Sequence, residues 1–285
     1  MVIAFAESPA GPCPWSPPFG SSVLGRPAGL LAVSSRTDPP YSERVDIAAN
    51  LEKIQNRIHA ACERAGRDPS SVELMAVSKN HPPETVAAAA ALGLRLFGEN
   101  KVQEARAKIP LCPGHLRWHL IGHLQSNKAK EAVQWFQMVQ GVDSLALARE
   151  LQKRAEAAAR TLPILLEVNV AGESTKFGYR PETLLQELAA LNALPRLEIH
   201  GLMCMAPYAI QPETVRPVFR RCRELARRCE ELLGAPLPTL SMGMSGDFEV
   251  AIEEGSTLVR VGTSLFGERS YAARREASLA APEDP

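Results

Sequence analysis

The feature that most constrains this chain is a regular alternation of short apolar segments with amphipathic ones, from about residue 47 to residue 261. Apolar runs of this length are typical of buried strands, and the helical periodicity between them predicts crossover helices. Strict alternation of strand and helix predicts a parallel sheet, which eight units most simply close into a barrel. The eight predicted strands are 72–79, 94–97, 116–121, 138–142, 163–170, 197–203, 239–242 and 258–261.

The predicted fold class is therefore α/β, a single (β/α)8 barrel of the TIM type with an extra N-terminal helix that begins near Ile47. An open doubly wound sheet is the alternative. That fold usually has a glycine fingerprint after its first strand, and Ser78-Lys79-Asn80 is not such a fingerprint.

The two ends of the chain differ from the alternating part. Residues 1–40 contain eight prolines and are predicted to be a disordered extension, although a start site assigned too far upstream or an organelle transit segment would also explain them. Residues 41–272 are predicted to form the barrel, and residues 273–285 a disordered tail.

Composition excludes several classes of function. The formal net charge is zero, so no general attraction to nucleic acid or to an anionic membrane is expected. The apolar runs are shorter than the roughly 18 residues that a spanning helix needs. The six cysteines form no CxxC pair, which indicates reduced cysteines in a cytoplasmic protein. His119 and His123 lack evident further ligands, so no metal site is predicted.

In a barrel the functional groups gather where the strands end, so the residues that follow each strand indicate the site. Lys79 ends the first strand, and Asn100 follows the second. The last two strands run into glycine- and serine-rich loops, whose backbone N–H groups and hydroxyls suit a phosphate. The simpler interpretation is that these residues only make tight turns. The candidate residues of these two loops are Ser241, Ser245, Arg260, Gly262 and Thr263.

A phosphate site opposite a strand-end lysine suggests pyridoxal 5'-phosphate, because its aldehyde forms a Schiff base with a lysine amine. The apolar strand before Lys79 would desolvate the amine and lower its pKa. Arg260 would then lie near the ring or the phosphate. The alternative is that Lys79 is a solvated loop lysine.

Five motifs support this interpretation. The motifs are Ala76-Val77-Ser78-Lys79, Phe97-Gly98-Glu99-Asn100, Trp118-His119-Leu120-Ile121-Gly122 with Leu124-Gln125-Ser126-Asn127-Lys128, Ser241-Met242-Gly243-Met244-Ser245, and Val259-Arg260-Val261-Gly262-Thr263. They resemble the motifs of the pyridoxal phosphate homeostasis proteins, in order and at natural spacing from about Ile47 to Tyr271.

The resemblance implies a barrel like the N-terminal domain of alanine racemases, belonging to fold-type III of pyridoxal phosphate proteins. It also implies the cofactor on Lys79, a phosphate held by the loops of Ser241, Ser245, Gly262 and Thr263, and Arg260 near the pyridine nitrogen. Two residues depart from the family pattern. Asn80 stands where threonine is common, and Lys101, where tyrosine is frequent, adds a second amine near the mouth of the barrel.

The expected function is that of a carrier or buffer of pyridoxal phosphate in vitamin B6 homeostasis, without catalysis. The protein is expected to be a monomer, and its recipients would be apo forms of pyridoxal phosphate-dependent enzymes. A racemase or decarboxylase-like enzyme is the alternative. Racemases of this fold add a C-terminal β-domain, which the short segment after Gly267 does not provide. A third hypothesis is a cofactor-free enzyme that acts on a sugar phosphate.

The long helix predicted at 214–233 is unusually rich in arginine. Glu224, Glu230 and Glu231 lie on the same helix and are expected to pair with some of these arginines. The alternative is a partner-binding surface.

Overall fold

The structure is a computed structural model, and it describes residues 45–173 and 176–267. The extension 1–40 and the tail 273–285, for which the sequence predicts disorder, lie outside the described residues. No helix of the described ranges is long and apolar enough to cross a membrane.

Eight parallel strands pair in sequence order and close into a barrel, because the first strand also pairs with the eighth. The predicted fold class is therefore confirmed. The strands are β1 Glu73–Val77, β2 Leu96–Glu99, β3 Arg117–Leu120, β4 Met138–Val142, β5 Leu162–Val168, β6 Leu197–Cys204, β7 Thr239–Ser241 and β8 Leu258–Val261.

Helices connect the strands, as the alternating pattern predicts. The helices are α1 Ile47–Arg64, α2 Pro83–Ala91, α3 Val102–Lys108, α4 Ala129–Trp135, α5 Leu145–Ala157, α6 Pro181–Asn192, α7 Arg216–Leu233, α8 Phe248–Glu253 and α9 Thr263–Phe266. Short 3-10 turns precede α4 and α7, where the sequence predicts continuous helix.

The extra helix α1 precedes the barrel. Asp46 caps its start by accepting a hydrogen bond from the backbone N–H of Ala49 at 2.8 Å. Its buried face includes Ile47, Leu51, Ile54 and Ile58, the residues whose spacing predicts the helix. This face belongs to the main core, which lies between the strands and the surrounding helices.

Several strand ends differ from the sequence prediction, and the differences at β1 and β2 shape the site. β2 covers 96–99 rather than 94–97, because Gly98 pairs with Val77 and His119 inside the sheet instead of ending the strand. β1 ends at Val77, although the Ser78 N–H still donates to the Gly98 carbonyl oxygen. Lys79 therefore lies two residues beyond the strand that it was predicted to end.

The interior of the barrel is partly apolar and partly polar. One apolar cluster joins Met75, Val77, Leu96, Ile121 and Leu258, and a second joins Met138, Leu165 and Met203. A hydrogen bond between Gln140 of β4 and Ser241 of β7 crosses this interior, since the two strands are not neighbours. The barrel therefore encloses a buried polar network, described below.

The arginine-rich helix α7 forms its described ion pairs mostly with residues of other elements. Arg216, Arg220 and Arg223 converge on Glu254, which follows α8 and is 5% exposed. The expected partner Glu230 instead accepts a hydrogen bond from the Leu237 N–H. The sequence predicts a salt-bridged face on this helix. The carboxylate that pairs with the arginines is Glu254, which lies outside the helix, rather than a glutamate of the helix itself.

Candidate functional site

Lys79 lies at the carboxyl end of β1 and is half-buried. It follows Met75 and Val77 at two-residue spacing, and those two side chains belong to an inner cluster of the barrel. The next residue, Asn80, has a φ of 62°, a left-handed conformation that turns the chain away after Lys79. This geometry places Lys79 at the mouth of the barrel.

An ion pair of α3 between the buried Lys108 and the partly buried Glu104 holds both peptide groups that flank Lys79. Lys108 Nζ donates to the Ser78 carbonyl oxygen at 2.8 Å, on the amino side of Lys79. Glu104 Oε1 accepts from the Asn80 N–H at 2.5 Å, on the carboxyl side. Lys108 and Glu104 are themselves 2.7 Å apart, one helical turn from each other. The backbone of Lys79 is therefore fixed from both sides by one helix.

Glu99 completes this buried cluster. Its Oε1 accepts from Ser78 Oγ at 2.6 Å and from Lys108 Nζ at 2.7 Å. Its Oε2 is buried and has no hydrogen-bond partner among the described residues. Burial raises the pKa of Glu99 to about 7, against the opposing attraction of Lys108. Sequence analysis includes Glu99 in a motif but misses Lys108, whose only signal is its four-residue spacing from Glu104.

Asn100 and Lys101 differ in their surroundings. Asn100 is half-buried and contacts Gly122, the glycine that follows β3, so closely that a Cβ there would lie 2.9 Å from Asn100 Cα. Lys101 is exposed, and its carbonyl oxygen accepts the N–H of Ala105 at the start of α3. Asn100 thus belongs to the packed rim of the barrel, whereas Lys101, the residue that differs from the family pattern, faces solvent.

The two glycine-containing loops meet each other and the end of β1. Gly243 has a φ of +88°, and an added Cβ would lie 2.7 Å from Ala251 Cβ, so the position requires glycine. Gly262 lies against β1, and a Cβ added to it would lie 3.2 Å from the Val77 carbonyl oxygen. Ser245 Oγ accepts the Ser264 N–H at 3.3 Å and joins the two loops. Thr263 is exposed beside them.

Arg260 is buried under these loops. Its Nη1 donates to the Ser241 carbonyl oxygen at 2.7 Å and to Ser241 Oγ at 2.6 Å, and its Nη2 donates to the Cys204 carbonyl oxygen at 2.8 Å. A guanidinium has five N–H donors. Within the described part of the chain these three bonds leave two donors for a ligand. The Ser241 hydroxyl is committed to Arg260 rather than being open to a ligand.

The polar network continues away from Arg260 across the barrel. Ser241 Oγ donates to Gln140 Oε1 at 2.7 Å, and Gln140 Nε2 lies 3.0 Å from His119 Nδ1. Burial lowers the pKa of His119 to about 3, so the ring is neutral at physiological pH. The sequence includes His119 in a motif, but nothing in it indicates Gln140.

A second group lies at the ends of β3, β4 and β5. His123 Nδ1 is 3.1 Å from Asp143 Oδ2, and the His123 ring stacks on Phe177 at a centroid distance of 3.7 Å. Glu167 is buried, and its pKa rises to about 7 because of desolvation and the nearby charge of Asp143, opposed by Arg260. No cluster of three potential metal ligands occurs in the residues that the structure describes.

These side chains and loops fit a ligand that has three functional groups. Lys79 provides an amine, Arg260 provides two N–H donors for a ring acceptor, and the glycine loops provide close backbone approach for a phosphate. The predicted residues Lys79, Asn100, Gly262 and Thr263 all lie on the rim at the carboxyl ends of the strands. Ser241 and Arg260 lie beneath that rim.

Comparisons with known proteins identify relatives that match most of this chain. The model of the N-terminal domain of alanine racemase matches residues 49–270. A pyridoxal phosphate homeostasis protein of Aquifex aeolicus is 46% identical over 78% of this chain and 97% of its own length. The chain belongs to the pyridoxal phosphate homeostasis protein family. The resemblance noted in the sequence is thereby confirmed.

Solved structures extend the comparison to the fold of this family. PipY of Synechococcus elongatus PCC7942, solved with PLP bound, is 39% identical, with a TM-score of 0.69 over 78% of this chain and 100% of the PipY chain. An alanine racemase of Clostridium difficile 630 is 15% identical, with a TM-score of 0.61 over 80% of this chain and 58% of its own. The racemase likeness concerns the barrel fold alone.

Proposed function

We propose that this protein binds pyridoxal 5'-phosphate through a Schiff base to Lys79 and carries or buffers it in vitamin B6 homeostasis. The observation that carries the proposal is the fixed backbone of Lys79, held by Lys108 and Glu104 at the mouth of the barrel. A nucleophile on an immobilised turn stays positioned for an aldehyde without losing further backbone entropy. Family membership and the PLP-bound PipY structure support the same cofactor.

Arg260 is the proposed partner of the ring. When bound, the cofactor supplies an aldehyde and a pyridine ring that withdraws electrons most strongly once its nitrogen is protonated. Arg260 is a pure donor that keeps its charge, so it offers an N–H to the nitrogen and does not transfer a proton. An unprotonated ring is a weak electron sink, which favours storage of the cofactor over catalysis.

The phosphate is proposed to lie between the loops after β7 and β8. Gly243 and Gly262 allow backbone N–H groups to approach it, and the hydroxyls of Ser245 and Thr263 lie on the same two loops. Asn100 is proposed to contact the ligand from the β2 side. Ser241 contributes through Arg260, since its hydroxyl already accepts from the guanidinium.

A covalent-labelling experiment tests the attachment. The purified protein supplied with pyridoxal phosphate is expected to absorb visible light, and borohydride reduction followed by peptide mapping should place the label on Lys79. Lys79→Ala should lose the label, whereas Lys101→Ala, a matched control at an exposed amine, should keep it. A label found on Lys101 in the Lys79→Ala variant would show that the cofactor can attach to Lys101. A colourless protein that binds phosphate esters would favour the sugar-phosphate barrel.

An exchange experiment separates storage from catalysis. A racemase or decarboxylase-like enzyme labilises a bond at the α-carbon, and the His123–Asp143 pair at the mouth offers an acid–base group for such an enzyme. The carrier function predicts no appreciable Lys79-dependent exchange of the amino-acid α-hydrogen with solvent deuterium. Rapid exchange that disappears in Lys79→Ala would instead establish an enzyme.

The proposed role includes delivery of the cofactor to apo enzymes, by a monomer acting in the cytoplasm. Transfer to a recipient apo enzyme should be faster from the loaded protein than from an equal concentration of free cofactor. Sedimentation of the loaded protein at several concentrations measures whether it remains a monomer.

A further inference from the structure

The hydrogen-bond chain that crosses the barrel has one direction, which Arg260 sets. A guanidinium only donates, so Ser241 Oγ must accept from Arg260 Nη1 at 2.6 Å. The hydroxyl hydrogen of Ser241 is then available for Gln140 Oε1 at 2.7 Å. The carbonyl end of the Gln140 amide thus faces Ser241, and its NH2 end faces His119.

The direction of the chain also determines the tautomer of His119. Gln140 Nε2 donates to His119 Nδ1 at 3.0 Å, so Nδ1 must be unprotonated and the hydrogen of the neutral ring must lie on Nε2. A hydrogen on Nδ1 would oppose the amide NH2 in a site where both side chains are buried. His119 is 7% exposed and Gln140 is 0% exposed, so water cannot readily replace the lost hydrogen bond.

We propose that His119 and Gln140 are positioning residues for Arg260, because they keep the Ser241 hydroxyl oriented with a lone pair toward the guanidinium. The chain spans β3, β4, β7 and β8, so it fixes Arg260 against the opposite wall of the barrel. The consequence for ligand binding rests on the proposed function, in which the two remaining donors of Arg260 meet an aromatic ring nitrogen. The tautomer and its coupling to Ser241 do not depend on that function.

The direct test is nuclear magnetic resonance of the full chain without cofactor, labelled with ¹⁵N at histidine. The protein has six histidines, and loss of one spin system in His119→Gln assigns the signal. His119 should give an unprotonated Nδ1 and a protonated Nε2, unchanged between about pH 5 and 8. A His119 that carries its hydrogen on Nδ1, or that titrates in this range, would overturn the proposal.

Two substitutions test the coupling at a distance. Ser241→Ala removes a hydrogen-bond acceptor of Arg260 and leaves the Gln140 amide free to flip. His119 should then become a mixture of tautomers, although it contacts Gln140 and not Ser241. Gln140→Glu replaces the donor that faces Nδ1 with a carboxylate oxygen and should move the hydrogen to Nδ1. An unchanged His119 signal in both variants would contradict a directional chain.

Ligand affinity tests the consequence. Gln140→Leu removes the acceptor of the Ser241 hydroxyl and should weaken binding of pyridoxal phosphate by about tenfold, the upper end of the effect of one neutral hydrogen bond. Gln134→Leu, the same change at an exposed position of α4, should leave the affinity unchanged. Equal affinities of wild type and Gln140→Leu would refute the positioning role. If the wild-type protein binds no pyridoxal phosphate while His119 has the expected tautomer, the proposed function is wrong, but the directional row of hydrogen bonds from Arg260 to His119 is supported.

Discussion

Lys108 donates a hydrogen bond from its Nζ to the Ser78 carbonyl oxygen, so a buried amine of α3 holds the peptide that precedes Lys79. The same amine contacts Glu99 and Glu104 at 2.7 Å each, and Lys108 is only 5% exposed. The position of the candidate nucleophile therefore depends on a charge that is itself remote from solvent. Such a charge is stabilising only while its partners are in place.

Replacing Lys108 should cost more stability than replacing an exposed lysine. Lys108→Met leaves the buried Glu99 carboxyl without its cation, which typically costs about 3–5 kcal/mol. The loss should be larger at pH 8 than at pH 5, since an unpaired Glu99 is tolerated best when protonated. Urea unfolding of the variant and of Lys130→Met, an exposed control on α4, measures the difference. Equal losses in the two variants would mean that the cluster contributes nothing.

Gly122 should not tolerate even one added methyl group. An added Cβ would lie 2.9 Å from Asn100 Cα, and the clash is with backbone rather than with a flexible side chain. Gly122→Ala should lower the free energy of unfolding by about 1–3 kcal/mol and shift the amide resonances near Asn100. Gly114→Ala is the control, because nothing lies within 4 Å of its added Cβ. Unperturbed Asn100 resonances in Gly122→Ala would count against this close contact.

Glu167 should make the cofactor-free protein less stable as pH rises from about 4.5 to about 7. Its pKa is 4.5 ordinarily and about 7 in the folded protein, so between these values the folded state holds more protons than the unfolded state. The free energy of unfolding then falls as pH rises across this window. Glu167→Gln should gain stability relative to wild type, on the order of 1–3 kcal/mol by pH 8, and nothing below about pH 4.5. Urea unfolding at a series of pH values checks this, and a constant difference would contradict it.

Glu254 should have the opposite pH dependence. Burial raises the pKa of Glu254, but hydrogen bonds and charges from Arg220 and Arg216 outweigh it and hold that pKa below the usual 4.5. Its stabilising contribution is therefore complete above about pH 4.5 and is lost as pH falls through the lowered pKa.

The test of this contribution uses two variants on neighbouring elements. Glu254→Gln should lower the melting temperature at pH 7, by a few degrees for about 1–2 kcal/mol. The difference from wild type should shrink as the solution is acidified below about pH 4.5. Glu224→Gln, at an exposed position of α7, should change the melting temperature little at any pH. A loss in Glu254→Gln that is independent of pH would point to packing instead of charge.

The periodic part of the fold was predictable from the sequence because it depends on local pattern. The bounds of β4 and β8 match the predicted 138–142 and 258–261, and α1 buries the four residues whose spacing predicts it. The prediction was wrong at β2, where Gly98 has the composition of a turn but lies in a strand. The reason is a tertiary contact, since a Cβ added to Gly98 would lie 2.7 Å from Met75 Sδ, and the Met75 side chain would have to move.

The sequence predicted candidate site residues that follow a strand. It did not predict residues that act by holding another residue in place through a hydrogen bond. Lys79, Asn100 and Gly262 follow strand ends by one or two residues, so the barrel topology alone places them on one rim. Lys108 and Gln140 have no such signal. They act through partners 30 and 101 positions away in the chain, Ser78 and Ser241.

The sequence by itself determined the class of fold and the rim on which the candidate site residues lie, because strand–helix alternation and the direction of parallel strands follow from local periodicity. Only the tertiary structure decided which groups are removed from water and which side chains meet across the barrel. Burial gives Glu99 and Glu167 pKa values of about 7, and closure of the sheet joins Arg260 to His119 through Ser241 and Gln140. Desolvation and long-range contacts depend on the whole packed chain, so no local stretch of sequence encodes them.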